Sequence, residues 1–182
     1  MEAKIERSVR DKRTCFIITE PDKLRLALTK AVDVLLREGY RCLYISLNEP
    51  HSSVEAMFSK AGIRSDRLYF IDCITAISHK IPHKKAENVE YAENPSHLTA
   101  EGKVIRSINQ FLASVPGKKM IVIDALRTVL LYNEPALVEK FISEVIENSG
   151  EYGAKLVVFT RKDDDQKIVR DISFKFDCIV EI

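Results

Sequence analysis

Along the chain, short continuous apolar runs take turns with longer stretches in which apolar residues recur at helical spacing, the pattern of strands alternating with helices. TCFIIT (Thr14–Thr19) is a run of β-branched and aromatic residues that Pro21 and Asp22 interrupt. Helical periodicity then carries Leu24, Leu26, Ala27, Leu28, Ala31, Val32, Val34 and Leu35 to about Glu38. Those side chains occupy more than one face, so this helix is expected to lie buried against a sheet. Asp22 is placed to cap its start and Gly39 its end. Residues 40–47 carry Leu43, Tyr44, Ile45 and Leu47 almost without alternation, as expected of a parallel strand covered on both sides.

The same reading continues with a helix over 51–61, stopped by Gly62, and a third strand over 67–73. Residues 75–98 lose the pattern and read as a long loop insertion containing two prolines and three histidines. Helical spacing resumes over 99–115, and MIVID (120–124) is the most apolar strand. A helix over 135–149, a strand over 155–160, a short helix or turn over 163–172 and a closing strand over 176–182 complete the chain. Connections this long suit crossover helices, which predicts an α/β fold: a three-layer αβα sandwich around a mostly parallel sheet. Residues 1–13 form a charged lead-in, short helix or strand, expected as a solvated tail with docking to a partner or nucleotide as the alternative, and 14–182 form a single domain.

Composition narrows the function without naming it. At 182 residues one domain can bury a large core without metal or disulfide support. With 28 basic and 27 acidic residues the net charge is +1, so no global field attracts nucleic acid or an acidic membrane surface. The charged amino terminus lacks the apolar segment of a signal peptide, and no run reaches the length of a membrane span, so a cytoplasmic location is expected. The four cysteines, Cys15, Cys42, Cys73 and Cys178, are scattered and largely within apolar runs, which marks them as core residues.

In a parallel sheet flanked by helices, chemistry gathers beyond the carboxyl ends of the strands, here Thr19 and Glu20, Asn48 and Glu49, Asp72, Asp124 and Thr160. The succession YISLNEP, LYFID, IVIDALRTVL, KLVVFT and FDCIVEI resembles the RecA-like ATPases, in particular their KaiC-type branch, over residues 14–182. The resemblance implies a RecA-like sheet with its six strands in the order 3-2-4-5-1-6. It further implies that Asp124 corresponds to the Walker B aspartate that supports Mg²⁺ of bound ATP. Glu49 corresponds to the second of two glutamates, one of which activates water, with Asn48 in place of the first. Thr160 falls where a polar residue senses the γ-phosphate, and Asp177 matches an aspartate of the closing strand. Asp124 and Glu49 also admit a structural role, in strand-end hydrogen bonding or helix capping.

The departure from that family is the first strand-to-helix turn. A Walker A loop uses small residues so that consecutive amides face the phosphates, followed by a lysine and a hydroxyl. Here the turn reads ITEPDKLRL, without glycine. Pro21 has no amide hydrogen, and Glu20 and Asp22 would face the triphosphate. Two like charges about 4 Å apart at an effective dielectric of about 20 repel by about 4 kcal/mol. Lys23 lacks a loop to aim it. A degenerate Walker A loop is therefore expected, with no cofactor; ATP and Mg²⁺ belong to an alternative in which Asp124 holds the metal, Glu49 orients water and Lys23, Arg25 or Arg161 replaces the loop.

Other clusters have ordinary readings. Asp163, Asp164 and Asp165 suit a helix start as well as a cation site. His79 and His83 have zinc-compatible spacing, but Pro82 between them disfavours a helix. Lys80, Lys84 and Lys85 are mixed with acidic neighbours and make a poor phosphate track. The sequence thus leads to a non-catalytic regulatory or assembly subunit, associating with itself as a homo-oligomer, with an active paralogue or with another protein partner. A weak NTPase and a nucleic-acid-binding, recombinase-like accessory protein are the competing expectations.

Overall fold

The computed structural model describes residues 1–78, 87–92, 102–164 and 166–182. Among the described residues, seven parallel strands form one sheet: β1 (Thr14–Thr19), β2 (Arg41–Ser46), β3 (Leu68–Asp72), β4 (Val89–Tyr91), β5 (Lys119–Ile123), β6 (Lys155–Arg161) and β7 (Cys178–Glu181). Their order is β4-β3-β2-β5-β6-β1-β7. The six expected strands take the expected order, and the difference is a seventh, β4, added at the edge beside β3. Strand β4 lies within the stretch read as a loop insertion. Its three residues are too few for any periodicity to reveal them.

Helices cover both faces. Helices α1 (Glu2–Asp11), α2 (Leu24–Arg37) and α3 (His51–Lys60) pack on one side, where Val34, Leu35, Val54 and Phe58 meet Ile17, Tyr44, Phe70 and Val122. A four-residue helix, α4 (Thr75–Ser78), follows β3. On the other side α5 (Lys103–Ser114), α6 (Leu126–Tyr132), α7 (Pro135–Glu151) and α8 (Gln166–Ser173) bring Ile108, Leu126, Phe141 and Ile172 against Phe16, Ile45, Ile121 and Val158. The central strands are buried on both faces, which is why their sequences are apolar runs rather than alternations. Helix α6 was not expected, since seven residues are shorter than the span over which helical period can be read.

The charged lead-in is not a solvated tail but helix α1. Ile5 and Val9, one turn apart, are both fully buried, and the helix packs on α2 and β7. Two β-branched apolar positions, Ile5 and Val9, are a thin signal beside so much charge. At the end of α2 the expected Gly39 stop is present: Gly39 at φ 89° donates to Leu36 O, and Tyr40 N–H donates to Leu35 O, closing the helix with a left-handed residue. Asp22, by contrast, makes no cap hydrogen bond, because residues Pro21–Lys23 form a 3₁₀ turn that runs directly into α2.

Candidate functional site

The turn between β1 and α2 is tight and internally bonded. Glu20 N–H donates to Ile182 O, Lys23 N–H donates to Glu20 O, and Pro21 has no amide hydrogen to offer. The Glu20 carboxylate accepts from Lys162 Nζ at 2.9 Å. Lys23 is exposed, and its ammonium bonds to no described group.

Across β6 from β1, strands β5 and β2 run side by side, with Ile45 opposite Ile123, and their ends bring Asp124 beneath the β2 exit. Asp124 is 2% exposed; it accepts from Leu47 N–H at 2.8 Å and from the buried Tyr44 hydroxyl at 3.2 Å. Burial pushes its carboxyl up to about 7, against the pull of the Leu47 amide and the Tyr44 hydroxyl toward the charged form. Burial, then the neighbouring Asp124, likewise pushes the Tyr44 phenol up. Glu49 lies close enough for its charge to raise Asp124 further. Its own carboxylate faces the first turn of α2, where Arg25 grips it through Nε at 3.1 Å and a terminal nitrogen at 2.7 Å. A groove of about 550 Å³ opens beside this pair between α2 and α3, lined in part by Leu26 and Met57.

Thr160, at the end of β6 between β5 and β1, is buried and donates its hydroxyl to Asp164 at 2.6 Å. Asp164 also accepts from Arg161 N–H, so it closes the turn after β6. Asp163 is held by Arg161 on two sides, which keeps its carboxyl below the usual range. Of the three basic side chains considered as replacements for a phosphate loop, Arg25 and Arg161 are therefore engaged by carboxylates. Among the described residues no group of three metal-ligating side chains comes together. His79, His83, Lys80, Lys84, Lys85 and Asp165 lie outside the described residues.

Asp177 lies at the other end of the sheet. Its carboxylate accepts from Thr14 N–H while its own N–H donates to the Thr14 hydroxyl, a reciprocal clasp at the entry of β1. Thr14 and Asp177 stand where β1 and β7 begin, remote from the strand ends that carry Asp124 and Thr160.

Asp72, a strand end that the sequence marks, gathers partners that the sequence does not. Asp72, fully buried at the end of β3, accepts from the amides of Ile74 and Thr75, the Thr75 hydroxyl and the His51 amide, and it contacts His51 Nδ1 at 3.0 Å. Burial works against its charge, yet these donors outweigh it and hold the carboxyl below its ordinary value. The His51 ring stands edge-on to Tyr91, whose buried hydroxyl has no partner among the described residues. Aspartate three positions before Thr75 is a readable cap pattern; the meeting with His51 requires the β2–β3 register, in which Ser46 pairs with Asp72.

No protein-family model matches the chain, and no curated protein matches it in sequence. Solved structures do match in shape. An uncharacterized protein from Pyrococcus horikoshii, crystallised in complex with an unknown peptide, aligns with a TM-score of 0.71 at 12% identity over 98% of this chain and 82% of that one. A KaiC-like protein from the same archaeon aligns with a TM-score of 0.60 at 12% identity over 88% of this chain and 68% of that one. At such identity the likeness is one of fold, and it agrees with the strand order and the two helical layers. The chain has a RecA/KaiC-like fold.

Proposed function

We propose that this chain is a non-catalytic RecA/KaiC-like domain that works through its surfaces, as a regulatory or assembly subunit, and does not hold ATP in the P-loop manner. The observation that carries this reading is the β1–α2 turn. Two of its amides are spent on Ile182 and Glu20 carbonyls, proline occupies a third position, and a glutamate sits where phosphate charge would lie. The residues that would serve a nucleotide elsewhere in the fold are engaged in ways that favour structure: Glu49 with Arg25, Asp124 with Leu47 and Tyr44, Thr160 with Asp164. A partner that is a protein, a second copy or an active paralogue fits the exposed Leu26 beside the α2–α3 groove. The peptide in the crystal of the archaeal neighbour is in keeping with a protein-binding role.

Isothermal titration of the full chain with Mg·ATP tests the proposal. No heat of binding up to about millimolar nucleotide is expected, since the ligand would meet like charge without amide donors. Micromolar affinity would overturn it in favour of an unconventional NTPase built on Asp124 and Glu49. The balanced charge also predicts weak binding to single-stranded nucleic acid with a shallow dependence on salt, since few phosphates would be neutralised.

A further inference from the structure

Cys15 and Cys178 are separated by 163 positions in sequence but stand directly opposite each other in the parallel β1–β7 ladder. Residues paired in this way project to the same face with Cα atoms about 5 Å apart, inside the span of roughly 4.4–6.8 Å that a disulfide bridges. The sulfurs lie 3.0 Å apart and share a hydrogen bond, while both thiols are free. A covalent bond needs them about 1 Å closer.

The two thiols are not equivalent. Cys178 belongs to the edge strand and is partly open to solvent, whereas Cys15 is 1% exposed beneath α1. The hydrogen bond with Cys15, aided by the nearby Lys12 charge, moves the Cys178 thiol down, while the same bond and burial move Cys15 up. Cys42 and Cys73 are fully buried and pushed up by burial, so they remain the inert core cysteines that the sequence implies.

We propose that Cys15 and Cys178 are a reversible redox pair: Cys178 is the thiol that meets a small-molecule disulfide, and Cys15 is the thiol that resolves the adduct. The Cys178 thiolate attacks one sulfur of the small disulfide, whose S–S bond breaks; one small thiolate leaves and takes up the proton Cys178 released. Cys15 then attacks the Cys178 sulfur, and the second small thiol departs with the Cys15 proton. Two protein sulfurs are oxidised and the two sulfurs of the small disulfide are reduced. The bond ties down an edge strand, since among the described residues β7 pairs with β1 alone. It also fixes the contact of α1 with that edge, where Lys4 Nζ donates to Glu181 O.

The test incubates the native full chain with oxidised glutathione, then counts alkylatable thiols under denaturing conditions and maps the peptides. The expected product keeps two free thiols, Cys42 and Cys73, links the β1 and β7 peptides, and melts roughly 5–15 °C higher than the reduced protein. Cys15→Ser is expected to arrest with glutathione on Cys178. Four free thiols in the wild type, a lasting glutathione adduct there, or a bridge that includes Cys42 or Cys73 would each overturn the proposal. The wild-type count decides the matter even where the serine variant does not fold.

Discussion

Asp72 and Asp124 close the strands on either side of β2, at 0% and 2% exposure, yet their carboxyls move in opposite directions, one down and the other up to about 7. The difference lies in the donors and in how deeply each carboxyl is set among protein atoms. Asp72 receives three amides and a hydroxyl besides its contact with the His51 ring, which occupies all the acceptor positions a carboxylate has. Asp124 receives the Leu47 amide and the Tyr44 hydroxyl, and the Asn48 amide also draws it toward the charged form. Burial alone raises a carboxyl, and donors lower it; the fuller donor set of Asp72 and the deeper setting of Asp124 together give opposite signs. Asp72 is thus a clamp held in its charged form that starts α4 and pins α3, whereas Asp124 is poised near neutrality.

Removing the clamp is the largest change open to experiment. Asp72→Ala leaves several buried donors without an acceptor and is expected to cost about 3–5 kcal/mol, lowering Tm by about 10 °C or more. Thermal melts at pH 7 measure it. Because the folded carboxyl lies below its unfolded value, its contribution is present above about pH 4 and is lost as pH falls through the folded pKa, so wild type and variant should converge in acid. A loss below about 1 kcal/mol would mean that the cluster is not what holds α3 and α4 to the sheet.

Asp124 should show the reverse dependence. Its folded pKa stands near 7 and its unfolded value near 4, so between those limits the native state keeps a proton that the unfolded chain has released. Stability then falls as pH rises through that window and levels off above it, by about 2–4 kcal/mol in all. In Asp124→Asn the side-chain oxygen can still accept from Leu47 while its amide faces the Tyr44 oxygen, without any charge to bury. Urea unfolding at pH 5 and pH 8 should show the variant gaining on the wild type at the higher pH. A variant that loses stability equally at both would disprove the raised pKa.

Much of this architecture is legible in the sequence because burial on both faces writes itself as continuous apolar runs; residues 40–47 and MIVID could hardly be anything but central parallel strands. The glycine-free turn at Glu20–Lys23 is readable for a similar reason, since the residues that allow a phosphate loop are a short set and are absent. What escaped depends on partners distant in the chain. Ile5 and Val9 carry α1 on two side chains, β4 has three residues, and the His51–Asp72 and Cys15–Cys178 meetings exist through strand register alone. Asp177, matched to an aspartate of the closing strand, clasps Thr14 at the end of the sheet away from Asp124, a pairing that likewise needs the β1–β7 ladder.

Glu49 completes the comparison as a carboxylate satisfied by a single, largely exposed arginine. Its side chain is 25% exposed and that of Arg25 66%, and the fork between them has good bidentate geometry. Water competes for both groups, and ordering two long side chains consumes much of the attraction, so pairs of this kind contribute about 0–1 kcal/mol. Arg25→Ala is accordingly expected to change unfolding free energy by less than about 0.5 kcal/mol at physiological salt, and by less still in about 1 M salt. Chemical denaturation at the two salt concentrations reads this directly. A loss above about 1.5 kcal/mol that salt does not diminish would show that the pair braces the start of α2 against the end of β2, and would move Glu49 into the same class as Asp72 despite its exposure.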